Sequence, residues 1–255
     1  VMTGQGTAGL EMLTDCNDLD ALVVPIGGGG LIGGIATIAR DMRPNLKIYG
    51  IQTELYPTMK LAVTGMDITG GAETLAEGIA VKKPGEITKP VVSNLVDDIL
   101  LVDEQSLEWA VGGLIEQQRV VSEGAGAAGI AAIRQNPSLF AGKKVGVVIC
   151  GGNIDPRLLA SILNRNMASD GRLARLRIDI SDEPGMLAAI TASISRCGGN
   201  IVEIYHQRLF YDVPAKLAKI DAVIETRGPK HVDEIIADLR GSNFLVRQLE
   251  DSSAI

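Results

Sequence analysis

The sequence predicts an α/β fold in which a parallel sheet covered by helices is followed by a smaller βαββαβ unit. Three observations predict it. Between Leu19 and about residue 167, apolar strand-like runs alternate with helix-like periods, the pattern of parallel strands joined by helical crossovers. Two glycine clusters, at 27–30 and 151–152, close such runs, and ligands of open parallel sheets sit outside the carboxyl ends of the strands. Beyond residue 173 the period changes, and apolar residues alternate with charged ones as in a strand with one exposed face.

The elements follow in order. An amphipathic helix leads from Gly4 through Leu13. "LDALVVPI" (19–26) reads as a buried strand and 31–42 as a helix. "LKIYGIQTE" (46–54) is a second strand, followed by a helix near 56–64. "DDILLVD" (97–103) is a third, with helices over 104–118 and 123–135. "KKVGVVICGGN" (143–153) is a strand that ends in the second glycine loop, and a helix covers about 155–167. The polar, turn-like "MASDGRL" (167–173) predicts a boundary between a domain at 1–168 and one at 173–250. In the latter, "LARLRIDIS" is a strand, and Pro184 opens a helix that Gly198-Gly199 ends. "NIVEIYHQRL" and "KIDAVIETR" are strands, 230–240 is a helix and "FLVRQL" is the last strand.

Composition narrows the function. The chain is 46% hydrophobic and 3% aromatic, with 30 glycines, which suits an aliphatic α/β core. A net charge of −7 with both signs interspersed argues against nucleic acid as a partner and predicts a soluble, cytoplasmic protein. No apolar run reaches membrane-spanning length. Cys16, Cys150 and Cys197 are widely spaced and odd in number, so neither a disulfide framework nor a thiolate metal site is predicted. His206 and His231 are too few for a histidine metal site.

"VVPIGGGGLIGGIATIAR" (23–40) runs a strand into four consecutive glycines and then a helix. Bare backbone there suits an anion held by N–H groups at a helix N-terminus. Two ligands compete. Gly28, Gly30 and Gly33 fit G-x-G-x-x-G with Glu54 about 20 residues on, as a nucleotide-dependent oxidoreductase would have them. Four adjacent glycines fit a cup around one phosphate better. A strand–helix turn with no ligand is the plain alternative. For Cys150-Gly151-Gly152-Asn153, that alternative is a strand-end turn with an inert thiol. For Glu123 it is a first-turn acid favoured by the helix dipole.

Seven segments together carry a resemblance: "GQGTAGLEML", "VVPIGGGGLIGGIA", "YGIQTE", "TLAEGIAV", "VDDILLV", "VVSEGAGAAG" and "ICGGNID". In order and spacing they resemble the serine/threonine dehydratases, pyridoxal 5'-phosphate enzymes of the tryptophan synthase β-like fold (fold type II). The likeness covers residues 1 to about 165. It implies that Gly27, Gly28, Gly29, Gly30 and Leu31 hold the cofactor phosphate by backbone N–H groups, and that Cys150 faces the pyridine nitrogen, where many relatives have serine. Gly78, Glu123, Gly151 and Asn153 complete the implied cofactor site. "AEG" at 76–78 stands where relatives often have A-D-G.

The resemblance also implies pyridoxal-phosphate-dependent deamination of threonine, and of serine, by β-elimination. The imine-forming lysine of the family lies in an S-x-K-x-R-G segment upstream of the GQGT helix. None of Lys47, Lys60, Lys82, Lys83, Lys89, Lys143 or Lys144 has that setting, so the chain reads as an N-terminally truncated dehydratase, inactive alone, or as a non-catalytic binding module. Some relatives place acidic metal ligands after "YGIQTE". Tyr56, Pro57 and Thr58 stand there, and no metal site is predicted. Residues 173–250 resemble an ACT domain, a ferredoxin-like regulatory module, through "DEPGML" (182–187). This implies an amino-acid effector, isoleucine or valine, at Asp182, Pro184, Gly185, Met186 and Leu187. It also implies pairing between chains, as a dimer or tetramer.

Overall fold

In the computed structural model, residues 1–67, 70–207 and 216–249 are described. The chain divides into two compact units, Val1–Ile162 and Leu163–Ile255.

In the first unit the strands β1 (Ala21–Pro25), β2 (Lys47–Thr53), β3 (Asp98–Val102) and β4 (Val145–Val147) form one sheet of order β3-β2-β1-β4. Every pairing is parallel. All five residues of β1 are buried. That is why its sequence is a continuous apolar run rather than an alternation, since both faces of such a strand are covered.

The helices are α1 (Met2–Asp15), α2 (Gly30–Met42), α3 (Thr58–Thr64), α4 (Thr88–Leu95), α5 (Glu104–Gly113), α6 (Gly124–Gln135), α7 (Pro137–Phe140) and α8 (Pro156–Ser169), the last running across the division between units. Small residues let these helices approach closely. A Cβ on Gly34 of α2 would lie 2.2 Å from the Met2 carbonyl oxygen of α1. Helix α6 buries eight alanines and glycines, among them Gly126, Ala128 and Ala132. Its backbone can therefore sit almost on the sheet.

Three elements differ from their sequence reading. The helix predicted over 104–118 ends at Gly113 and continues as a π turn, Leu114–Gln118, closed by Arg119 at φ 59°. Arg119 caps its own turn, donating from Nη1 to the carbonyls of Ile115 and Glu116. The strand expected within 143–153 pairs only at Val145–Val147, shorter than its apolar run, and Cys150 stands in the glycine loop that follows, as read. The helix predicted near 56–64 begins at Thr58.

The second unit has the predicted βαββαβ order: β5 (Leu173–Ser181), α9 (Met186–Arg196), β6 (Asn200–Gln207), β7 (Leu217–Glu225), α10 (Pro229–Gly241) and β8 (Leu245–Leu249). Its antiparallel sheet has the order β6-β7-β5-β8. Leu176, Ile178 and Ile180 of β5 and Ile220, Ala222 and Ile224 of β7 are buried in one core with Ile190, Ile194, Ile235 and Leu239 of the helices. The other sheet face holds a buried charge. Asp221 is 1% exposed and receives Nε and Nη2 of Arg177 and Nη2 of Arg175, at 2.6–2.8 Å. His231 ties the helices together: its Nδ1 accepts from Arg227 N–H, and Nε2 lies 2.9 Å from the Cys197 carbonyl oxygen. The segment predicted as strand to residue 209 passes beyond the described residues after 207.

Candidate cofactor site

The sheet of the first unit ends its strands on one side, and a cleft of about 730 Å³ opens there. Gly27–Leu31, Gly78, Glu123, Cys150 and Gly151 line it, together with Thr88. The two glycine loops and the start of α6, far apart in sequence, are thus brought together as predicted. Asn153 lines an adjoining cleft, which it shares with Gly78 and Glu123.

The first loop is a backbone anion cradle. Gly29, the N-cap of α2, has φ 86° and ψ 1°, and Gly30 begins the helix. A left-handed residue followed by a right-handed one turns successive N–H groups toward a common point. Here these are the N–H groups of Gly29, Gly30 and Leu31. The first hydrogen bond of the helical turn runs from Gly33 N–H to the Gly29 carbonyl, so the donors before it have no acceptor within the helix. A Cβ on Gly28 would meet nothing within 4 Å, whereas one on Gly29 would lie 2.7 Å from Thr88 Oγ1. The cradle is open where a phosphate would enter and closed behind. The donor set, neutral N–H groups at a positive helix end, fits a phosphate.

Gly33, the last glycine of the G-x-G-x-x-G match, packs against α1 instead: its Cβ would lie 2.9 Å from Met2 Sδ. Glu54 is exposed, and the residues lining the cleft do not include it.

Glu123 is the N-cap of α6, but its side chain makes no capping bond. The carboxylate stands between two glycines. A Cβ on Gly78 would lie 2.8 Å, and one on Gly151 2.3 Å, from Glu123 Oε1. In this arrangement the carboxylate fills the space a Cβ would take at 78 and 151, and Gly151, at φ 81°, also has the backbone conformation that favours glycine. The loop is fastened to α6 through Glu123 N–H, which donates to the Gly151 carbonyl at 3.2 Å; the buried Ser122 Oγ lies 3.2 Å from that carbonyl and 3.0 Å from that of Glu123. Cys150 is half-buried, and burial pushes its thiol up; the charge of Glu123 adds to this. The group is therefore a neutral S–H at ordinary pH, a weak donor.

Two site-building residues escaped the sequence reading. Glu104 accepts from Leu75 N–H at 2.7 Å, Thr74 Oγ1 at 2.6 Å and Thr53 Oγ1 at 3.2 Å. It thereby pins the segment that leads to the 3₁₀ turn Glu77–Ile79, which carries Gly78. Its position directly after a strand reads as a first-turn acid and nothing more. Thr88 donates to the Gly28 carbonyl across 60 positions of sequence, and no local signal marks it.

Asp182, Pro184, Gly185, Met186 and Leu187, implied as an effector site, lie at and just before the start of α9 in the second unit. Gly185 is the N-cap at φ 92° with no side-chain cap. Met186 packs on the core, and Leu187 is 37% exposed. Two clefts of the second unit, one lined by Arg240, Phe244 and Arg247 and one by Arg227, Lys230 and Glu234, include none of them. Among the described residues no group of three or more His, Cys, Asp or Glu side chains is placed to hold a metal. No helix among them is long and apolar enough to cross a membrane.

A helix-end cradle that fits a phosphate, at the carboxyl edge of a parallel sheet and on one cleft with a second glycine loop and a neutral thiol, is the arrangement of an α/β core able to hold a phosphorylated cofactor. Residues 1–151 match the family described as pyridoxal-phosphate dependent enzyme. The chain belongs to that family. Its relatives include proteins named L-threonine ammonia-lyase. That of Thermotoga maritima is 41% identical, over 97% of this chain and 62% of its own length. That of Geobacter sulfurreducens is 38% identical, over 98% of this chain and 63% of its own. This chain thus spans a little over three-fifths of those relatives. Among solved structures, the processed form of threonine deaminase isoform 2 from Solanum lycopersicum superposes with a TM-score of 0.60 at 30% identity, covering 64% of this chain and 46% of the other.

Proposed function

We propose that the protein containing this chain deaminates L-threonine to 2-oxobutanoate and ammonia by pyridoxal-phosphate-dependent β-elimination, with L-serine giving pyruvate. The observation that carries this is the nest of Gly29, Gly30 and Leu31 N–H groups facing the Cys150 loop. The names borne by the relatives support it. The nest would hold the phosphate, Glu123 would set the walls at Gly78 and Gly151, and Asn153 would support the site from the adjoining cleft. When bound, the cofactor supplies an electron sink for the charge that develops at the substrate Cα. Cys150 would meet the ring nitrogen with a neutral, weak donor, leaving that nitrogen unprotonated. A neutral thiol at that position would favour departure of the β-hydroxyl over transamination. No lysine is among the described residues lining the cleft.

The test is keto-acid release from threonine by the full-length protein, with the 255-residue chain assayed beside it. Release is expected from the former and none from the latter. Turnover by the chain alone would overturn the assignment of the imine-forming lysine elsewhere, and failure of both would leave a binding module. Cys150→Ser can make the same hydrogen bond and is expected to support turnover. Cys150→Asp favours a protonated ring and is expected to depress elimination and raise side reactions. Equal elimination rates for the aspartate variant and the parent would remove Cys150 from the ring nitrogen.

For the second unit we propose an ACT-type role at 173–250, with a branched-chain amino acid bound at an interface between chains. The reading rests on the βαββαβ order and on Asp182, Pro184, Gly185, Met186 and Leu187. The free N–H groups at the start of α9 would hold the ligand carboxylate. We place the enzyme in the cytoplasm, as a dimer or tetramer. Effectors of this kind shift function through coupling of about 1–3 kcal/mol between sites. Gly185→Val adds a side chain at φ 92° and is expected to abolish the response to isoleucine or valine. Threonine turnover is followed across the titration, each form scaled to its own effector-free rate. An unchanged response in the variant would remove the ligand from this helix end.

A further inference from the structure

We propose that Thr88 is a positioning residue of the phosphate cradle, acting through the Gly28–Gly29 peptide; this rests on the reading of the cradle as the cofactor's phosphate site. Thr88 Oγ1 lies 2.6 Å from the Gly28 carbonyl oxygen and 3.1 Å from that of Gly85. A hydroxyl has one hydrogen, and the shorter contact takes it. The Gly28–Gly29 peptide is trans, as no cis bond occurs among the described residues. In a trans peptide the C=O and N–H vectors oppose one another. Drawing the Gly28 carbonyl toward Thr88 therefore turns the Gly29 N–H away from the 85–88 segment, toward the open side beside Gly28.

The constraint has a reason in this loop. Glycine peptides rotate freely, and four in succession give a cradle no side chain of its own to hold its shape. Support must come from outside, and three contacts give it. Thr88 holds the Gly28 carbonyl. Buried Gln52 approaches the Ile26 carbonyl with Nε2 at 3.5 Å and accepts from Lys60 N–H through Oε1 at 3.0 Å. Met59 Cε lies 2.8 Å from where a Gly29 Cβ would stand, so the loop rests on that side chain. Of these, only Thr88 also lines the cleft. It opens helix α4, an element separate from the loop it holds.

A residue that acts through the cradle must alter recognition of the phosphate and not of the pyridine ring. The experiment measures, by equilibrium dialysis on the full-length protein, the affinities for pyridoxal 5'-phosphate and for pyridoxal. Thr88→Val and Thr88→Ala, which lack the hydroxyl, are compared with Thr88→Ser, which keeps it. The parent is expected to prefer the phosphorylated form. Thr88→Val and Thr88→Ala are expected to lose about 10-fold of that preference, the order expected for a hydrogen bond that organises charged-group recognition. Their affinity for pyridoxal should stay near that of the parent, and Thr88→Ser should restore the preference. If Thr88→Val does not fold, Thr88→Ala, which adds no bulk, carries the test. A parent without preference for the phosphorylated form would overturn the cradle reading. A parent with preference, matched by Thr88→Ala, would overturn the role of Thr88 alone. Equal losses for both ligands, unrestored by serine, would make Thr88 a general support of the fold and overturn the proposal.

Discussion

Gly126→Ala is expected to destabilise the first unit by about 3 kcal/mol or more and to abolish tight cofactor binding. The new Cβ would stand 1.8 Å from the Cys150 carbonyl oxygen and 2.4 Å from Ser122 Oγ. Neither obstacle is the far end of a flexible chain. To make room, the 150–151 loop must leave α6, which breaks the bond from Glu123 N–H to the Gly151 carbonyl. The Glu123 N–H would lose its acceptor, and overpacking adds its own strain. Gly113→Ala is the matched control. Its Cβ would meet nothing within 4 Å, and an alanine there should raise stability by about 0.5–1 kcal/mol. Thermal unfolding and cofactor titration of both variants check this. A Gly126→Ala protein that melts with the parent would show that α6 and the loop are not in close contact.

Asp221→Ala is expected to cost the second unit about 3 kcal/mol, because it removes the buried carboxylate that takes two hydrogen bonds from Arg177, whose side chain is only 16% exposed. The Arg175 pairing contributes less, since that side chain is 49% exposed. The hydrogen bonds from Arg177 and then Arg175 hold the Asp221 carboxyl below its usual value. A carboxyl depressed in the folded state stabilises fully above its unfolded pKa, about 3.9. That contribution is lost as pH falls through the lower folded value. The parent should therefore exceed Asp221→Asn in stability by a constant margin from neutral pH down to about 4, with the margin closing at more acid pH. Denaturant unfolding of the second unit at a series of pH values gives the margin directly. A margin that stays constant below pH 4 would show that the pair is not ionised as drawn.

Much of the site could be read from the chain. Strand ends were marked by abrupt change from apolar runs to glycine at 27–30 and 151–152, and both loops line one cleft. Glu123 was read at a helix start, where it stands as the N-cap of α6. Whether its carboxylate served the helix or the cleft was not legible. That depends on Gly78 and Gly151, which approach it from other segments and leave space only for an unobstructed oxygen. Thr88 and Glu104 went unread for a related reason. Each acts on backbone groups 60 and 29 or more positions away, and a hydroxyl or carboxylate near a helix start looks the same whether it caps its own helix or reaches a distant loop. The end of β4 was misplaced because "VVIC" continues the apolar run, while the partner strand β1 pairs only as far as Val23↔Val147.

By itself the sequence determined the order of elements, the division into a parallel-sheet unit and a βαββαβ unit, and the placement of a glycine loop between β1 and α2. These follow from periodicity and from glycine placement, which are local properties of the chain. The tertiary structure alone decided which donors converge, how the Gly28–Gly29 peptide is turned, and why Asp221, a charged residue in a strand, is buried. Each is set by a partner distant in sequence: Thr88 for the peptide, Arg177 for the carboxylate. Such pairings arise only when the elements pack: packing brings Thr88 to the Gly28 carbonyl, and the Asp221 carboxylate, once buried, needs the charged donors of the neighbouring strand.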